Sequence, residues 1–468
     1  MRVGAFILLP LYTHYLTVAD FGILALLNSI SAIVSSFLGI GIAHATLRFY
    51  FEFDRLQDRN AVVSTALITT TVICSFAIIG LSFGSTLLSE LIFKSDNYAK
   101  AINITYIALV FEMARQVGLS YMRAKEYSIL FVSVSILQLL MQVCLNVYFL
   151  AVLHYGVIGV VVGNAITVLS GLIICCITVI KECGLRFEFN KMKVMLNYSY
   201  PFLFSSIISV IMQNVDRFIL TSLFSLEAVG IYSLALKYSS VLQELVVEPF
   251  KRSFGAFRFS IMKQDNSKNI QSKTLKYLLF VTCWVGLGLS LFAKEAIDIL
   301  ATQDYTAVVK YIPLAITSLI ILSSKYIFQT GILYDKSTIK MFFINFFTGV
   351  FGVICSSALI YFFGIFGACS AQIFRSAFSV FLTYKISQKI YSVEYDFKGA
   401  AYCLISAIGL YLLSRFLLSS YMFIDLFSKI ILSILFPIII YKSSFFTTYE
   451  KEFINSFTAK AMAKVFYR

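Results

Sequence analysis

Tyr155-Gly156-Val157-Ile158-Gly159 recurs 208 positions later as Phe363-Gly364-Ile365-Phe366-Gly367. The same offset carries Thr17, Phe21, Gly22 and Ile23 onto Ser225, Val229, Gly230 and Ile231, and Asn164 onto Gln372. Tyr98 and Tyr305 match with one residue less, Lys125 and Lys336 with three more. Apolar segments resemble one another by chance, but a nearly constant offset across separated anchors points to an internal repeat. Two copies that run in the same direction, each with an even number of membrane spans, give two halves similarly oriented about an axis along the membrane normal. Such halves characteristically enclose a transport pathway.

The chain is 59% hydrophobic and 13% charged, with 46 Phe and 28 Tyr. A soluble protein would be about 25% charged. Apolar runs of about 20 residues recur throughout, long enough to cross a bilayer. They are continuous rather than alternating, which excludes a β-barrel and gives an all-α, polytopic membrane protein. The nine cysteines lie mostly inside apolar runs without metal-ligand spacing, so they are read as small core residues. No metal or cofactor is expected. The net charge of +14 sits in loops between spans, not in a basic domain, and so suggests no nucleic-acid partner.

Fourteen spans are expected, at 2–16, 21–43, 62–88, 101–120, 128–153, 156–180, 198–220, 230–248, 274–300, 308–331, 340–361, 364–384, 399–418 and 426–441. They group as an N-terminal six-helix lobe (1–190), a C-terminal six-helix lobe (191–395), and two extra helices with a tail (396–468). The first span gives about 24 Å of helix against about 30 Å of hydrocarbon, so it is expected to be truncated or to start upstream of Met1. No small-residue cleavage site follows Arg2, so this span is expected to stay. Arg48, Arg55 and Arg59, then Arg123 and Lys125, then Lys181, Arg186, Lys191 and Lys193 fill alternate loops, and the series runs on through Lys336 to Arg468. The turns at His154, 225–229 and 362–364 are nearly bare. This alternation predicts both termini and the basic loops in the cytoplasm. The outer loops are too short to house a catalytic domain. Phe250, Phe254, Phe257 and Ile261 recur at helical spacing among Lys and Arg, which predicts an interfacial helix on anionic headgroups.

Arg115, Arg217, Lys237, Lys325 and Arg375 lie inside expected spans; carboxylates there are fewer, namely Glu112, Asp216 and Glu244. A charge at the bilayer centre costs at least about 2.5–3.5 kcal/mol, so such residues face a cavity or a partner. Arg115 and Lys325 occupy matching spans of the two copies. With Arg375 and Lys237 they are the candidate substrate contacts, cations facing a central cavity suited to phosphate. Pairing of these cations with Glu112 or helix-end carbonyls is the competing reading. Asp216, Arg217, Glu112 and Glu244 are candidates for structural or coupling roles. Adjacent on one helix, Asp216 and Arg217 cannot share a face, and Arg217 is close enough to the outer boundary to snorkel. The three histidines are scattered and no phosphate-binding glycine loop occurs, so no enzyme and no direct ATP drive is expected.

Tyr200-Pro201-Phe202, Asn214-Val215-Asp216-Arg217-Phe218, Gly230-Ile231-Tyr232-Ser233 and Lys237 resemble the seventh and eighth spans of bacterial polysaccharide (O-antigen) repeat-unit flippases, the Wzx type. Leu16-Thr17, Phe21-Gly22-Ile23, Gly39-Ile40-Gly41 and Arg48-Phe49-Tyr50 resemble that family's start, although the family usually carries further N-terminal residues. The resemblance implies the fold of the multidrug/oligosaccharidyl-lipid/polysaccharide exporter superfamily, two six-helix lobes forming a V around a central cavity. It implies movement of undecaprenyl-pyrophosphate-linked oligosaccharide across the bacterial inner membrane. Partners would be that lipid-linked substrate, membrane lipids, a polysaccharide polymerase and a chain-length regulator. Alternatives within the superfamily are a lipid II flippase and a drug or ion antiporter, the latter disfavoured by the excess of cations. A membrane-bound polysaccharide polymerase is the alternative of a different class, disfavoured by the lack of a long outer loop.

Overall fold

The computed structural model describes residues 8–39, 41–261, 264, 266–335, 338–417, 422–443 and 445–452. Arg2, Ile40, Lys263, Lys336 and Arg468, which entered the repeat, motif or charge pattern, lie outside these residues. In chain order the α-helices are α1 (Leu9–Tyr15), α2 (Val18–Leu38), α3 (Ile42–Glu52), α4 (Leu56–Ser82), α5 (Ser85–Phe93), α6 (Ala99–Ala124), α7 (Ser128–Val147) and α8 (Gly156–Cys183). There follow α9 (Phe189–Leu223), α10 (Leu226–Leu242), α11 (Glu248–Ile261), α12 (Ser267–Leu291), α13 (Ala293–Leu300), α14 (Ile312–Ser323), α15 (Lys325–Phe328), α16 (Thr330–Tyr334), α17 (Thr338–Ile390), α18 (Phe397–Phe416) and α19 (Met422–Lys442). The fold is all-α. Nine stretches of helix among the described residues are long and apolar enough to cross a membrane, and one of them, Ile339–Ile390, takes in two expected spans. Large apolar side chains such as Ile129 (86%), Phe416 (86%) and Phe423 (89%) stand exposed, as suits a surface facing lipid rather than water.

Positions 208 residues apart share local geometry. Thr17 caps α2 by accepting the Asp20 N–H at 3.1 Å, and Asp20 accepts the Thr17 N–H in return, a capping box. At the matching place, the Ser225 hydroxyl accepts the Ala228 N–H at 3.3 Å at the start of α10. Gly156 and Gly364 both adopt the left-handed region, with φ of +52° and +56°. A side chain there would be strained, which explains why both pentapeptides keep glycine at that place.

Several expected spans are interrupted. The span at 21–43 ends as helix at Leu38, and Gly41 (φ +63°) starts α3 on a new course. The span at 62–88 ends as helix at Ser82, and α5 begins after Gly84. The expected spans at 340–361 and 364–384 lie on either side of Gly364, whose non-helical backbone (φ +56°) kinks α17 into two helices at the expected turn. The expected surface helix at Phe250–Ile261 is present as α11, with Phe254 and Ile261 buried and Phe257 exposed.

By contacts the chain forms two compact units. The first comprises Met1–Leu234, Ile297–Val308 and Phe342–Arg375; the second comprises Ala235–Ala296, Val309–Met341 and Ser376–Arg468. The lobe boundaries near 190 and 395 are a different division and stand as a proposal. The first unit has a core of Phe49, Val63, Ala66, Val117, Tyr121 and Val179, drawn from α3, α4, α6 and α8. Gly118 permits α6 and α8 to close up, since a Cβ there would lie 2.4 Å from the Cys175 Cβ. In the second unit, Gly286 of α12 admits Ile316 and Ile320 of α14. Also there, α19 docks on α12 through Trp284, whose indole N–H donates to the Ser433 carbonyl at 3.0 Å, and through Phe280 stacked on Phe436.

Candidate functional site

Within the first unit, α2 and α10 meet glycine to glycine. A Cβ on Gly22 would lie 2.1 Å from the Leu226 carbonyl oxygen, and one on Gly230 would lie 2.1 Å from the Val18 carbonyl oxygen. Val18 and Leu226 are themselves 208 residues apart, so the contact is its own image under the repeat. Small residues permit such close backbone approach between membrane helices.

Arg217 of α9 sits beside this crossing. Its guanidinium donates to Ser29 Oγ (3.4 Å), Ser233 Oγ (3.2 Å) and Asn214 Oδ1 (2.8 Å). Ser29 is about two turns along α2 from Gly22, and Ser233 about one turn along α10 from Gly230. Among the described residues Arg217 makes no ion pair. Neutral oxygens on α2, on α10 and on its own helix hold it.

Asp216 points the other way, as adjacency on a helix requires. It is buried, and accepts from Ser356 Oγ at 2.6 Å and from the Tyr232 hydroxyl at 2.8 Å. Arg375 Nη2 lies 3.4 Å from the same carboxylate, and its Nη1 donates to the Met212 carbonyl at 2.8 Å. Gln372 donates to the Tyr232 hydroxyl at 2.9 Å. Two glycines on α17 make the room: a Cβ at Gly352 would lie 2.6 Å from Arg375 Cδ, and one at Gly349 2.5 Å from Met212 Cγ.

Arg115 is buried on α6. Its Nε and Nη2 donate to Glu112 at 2.9 and 2.7 Å, and its Nη1 donates to Gln138 of α7 at 3.0 Å. Gly171 on α8 leaves space for this pair, since a Cβ there would lie 2.0 Å from Gln138 Nε2. Arg115 and Arg375 therefore both have carboxylate partners, and for Arg115 the contact is that of the competing reading, pairing with Glu112. In the second unit, Lys325 is half-buried at the start of α15. Lys237 is half-buried on α10 and makes no ion pair among the described residues. Glu244 lies in the π-helical turn Gln243–Val247 that follows α10.

The family model described as polysaccharide biosynthesis protein matches residues 13–310. The chain belongs to this polysaccharide biosynthesis protein family. No curated protein sequence matches it significantly. Its fold is similar to that of the lipid II flippase MurJ in an inward closed conformation, with a TM-score of 0.76 at 14% identity over 94% of this chain and 97% of that one. It is also similar to an inward-facing multidrug resistance MATE family transporter of the MOP superfamily, with a TM-score of 0.67 at 12% identity over 83% and 94% of the two chains. The outward-facing conformation of a MATE family transporter of that superfamily aligns with a TM-score of 0.56 at 11% identity over 83% and 92%.

This polysaccharide biosynthesis protein is thus a multi-pass membrane protein with the fold of that superfamily. The site residues that sequence reading passed over are neutral, namely Ser29, Gln138 and Ser356, while Tyr232 and Ser233 entered only as part of a motif. The two amides Gln138 and Gln372 were the available signal, because an amide inside a membrane span needs a hydrogen-bonding partner as a charge does.

Proposed function

We propose that the protein is a flippase that carries undecaprenyl-pyrophosphate-linked oligosaccharide repeat units across the bacterial inner membrane by alternating access. Family membership and the likeness to a lipid II flippase support a lipid-linked substrate. The observation that carries the reading is Arg217, a guanidinium within membrane helices that is held by neutral oxygens alone among the described residues. Arginine stays protonated and binds phosphate through directional, charge-assisted hydrogen bonds. An embedded cation of this kind suits an anionic headgroup and disfavours a cationic drug. Lys237 and Lys325 are proposed as further phosphate contacts. Arg115 and Arg375 are proposed to reach substrate only if their carboxylate pairs open. A polysaccharide polymerase and a chain-length regulator are proposed partners, and the basic loops and both termini are proposed to be cytoplasmic.

Deletion of the gene tests the reading. Export of a surface glycan should stop and lipid-linked repeat unit should accumulate in the inner leaflet. Normal polymer in a strain with no redundant exporter contradicts the flippase reading. The fold likeness to a lipid II flippase favours lipid II as a second substrate reading, which complementation of a strain lacking its own lipid II flippase decides.

A further inference from the structure

A separate pocket lies wholly within the second unit, on the side that carries the basic loops. Its volume is about 970 Å³, and its wall includes Lys268, Lys385, Lys389, Gln388, Tyr384 and Tyr395. Lys268 is in the first turn of α12, while Lys385 and Lys389 are one turn apart at the end of α17. The framework is tied at several points. Gln388 Nε2 donates to the Val393 carbonyl at 2.6 Å, and the Val393 N–H donates back to Gln388 Oε1 at 2.9 Å. The Tyr391 hydroxyl donates to Ser267 Oγ at 3.0 Å and joins the end of α17 to the start of α12. Tyr384 and Tyr395 pack edge to face with each other at 6.2 Å and with Phe328 at 5.3 and 4.8 Å, which gives the pocket an aromatic floor. Burial pushes the Tyr395 phenol above its ordinary value, so it remains a neutral hydroxyl.

The wall of this pocket carries three lysines and one carboxylate, Glu394. Lys385 and Lys389 are like charges at i and i+4, a placement that disfavours the helix unless an anion intervenes. Among the described residues no carboxylate pairs with Lys268, Lys385 or Lys389, although Glu394 stands in the same wall. Lys268 Nζ is instead held by Ser392 Oγ at 3.4 Å and by the Tyr391 ring at 5.6 Å.

We propose that this pocket binds a phosphate ester from the basic-loop side, with the phosphate among Lys268, Lys385 and Lys389 and an attached polyol resting on Tyr384 and Tyr395. Lysine binds phosphate as a point charge, and aromatic faces accept the C–H faces of glycerol or a sugar. Two sources share this chemistry: the headgroup of an anionic phospholipid and a soluble sugar phosphate. The site is independent of the embedded cations and of the translocation reading.

Purified full-length protein in detergent is titrated with phosphatidylglycerol, followed by native mass spectrometry, and with glucose 1-phosphate, followed by calorimetry. Saturable binding of the first assigns a lipid headgroup; saturable binding of the second assigns a soluble phosphate ester. In either case Lys385→Gln/Lys389→Gln weakens binding about tenfold or more. Lys181→Gln/Lys193→Gln removes the same charge from the basic loops outside the pocket and leaves binding unchanged. All four lysines are exposed, so neither variant lowers the melting temperature. Binding of neither probe, or equal weakening in both variants, overturns the proposal.

Discussion

Substituting Gly22 by alanine is a severe structural perturbation at the crossing of α2 and α10. The new Cβ would sit 2.1 Å from the Leu226 carbonyl oxygen, where real Cβ contacts do not fall below 3.0 Å, so α2 and α10 must part by about 0.9 Å. The obstructing atom is backbone, and no rotamer relieves it. Overpacking of this kind costs about 1–3 kcal/mol. If the glycine crossing seals one end of the translocation path in one of two alternating states, that state loses population by a factor of about 5–150. The assay places a cysteine at Ser29, buried about two turns from the crossing, in a cysteine-free background and follows its modification by an impermeant maleimide. Gly22→Ala should speed labelling by that factor, and Gly230→Ala should match it because the two contacts are images of each other. The double variant should be less than additive, since one separation relieves both clashes. Labelling at the parent rate in both single variants, at normal abundance, would refute the seal.

The remaining predictions are briefer. Asp216→Asn should lower stability by about 3–5 kcal/mol, because it leaves the Arg375 guanidinium without its buried partner, and Asp216→Asn/Arg375→Met should recover part of the loss; thermal unfolding in detergent measures both. Asp396 caps α18: the Gly399 N–H foremost, with Lys276 alongside, holds its carboxyl below the ordinary value. That contribution is present at neutral pH and is lost as pH falls through the depressed value, so Asp396→Ala should cost about 1 kcal/mol at pH 7 and nothing in strong acid; melting curves across pH check it. A cysteine at Ser225 should label from outside the cell and one at Lys268 only after permeabilisation; the reverse pattern would invert the proposed orientation.

The repeat legible in Tyr155–Gly159 and Phe363–Gly367 anticipated matched turns, and Gly156 and Gly364 show why: a left-handed turn constrains residue type at one position, which a sequence displays directly. The helical character of the spans was equally legible, because about 20 apolar residues leave no other way to satisfy the backbone in lipid. Breaks such as the one at Gly41 were not, since glycine is also common inside membrane helices and only packing distinguishes the two uses. Of the charged pairs, Arg115 with Glu112 was legible as the competing reading, three residues apart on one helix, while Arg375 with Asp216 was not. Arg375 meets Asp216 only because Gly349 and Gly352 let three helices converge, and no local spacing encodes that convergence. The partners of Arg217 were not legible, because its depth along α9 says nothing of Ser29 and Ser233 on the neighbouring helices.

The central claim is that this chain moves a lipid-linked, pyrophosphate-bearing oligosaccharide by means of embedded cations. The direct measurement is translocation in proteoliposomes loaded with undecaprenyl-pyrophosphate-linked oligosaccharide on one leaflet, read by arrival at a glycosidase on the other side. The parent protein should catalyse arrival, and Arg217→Ala, Lys237→Ala and Lys325→Ala should each slow it about ten- to hundredfold at unchanged abundance, with Arg217→Lys intermediate. Arrival at the protein-free rate, or at the parent rate in all three alanine variants, would contradict the account.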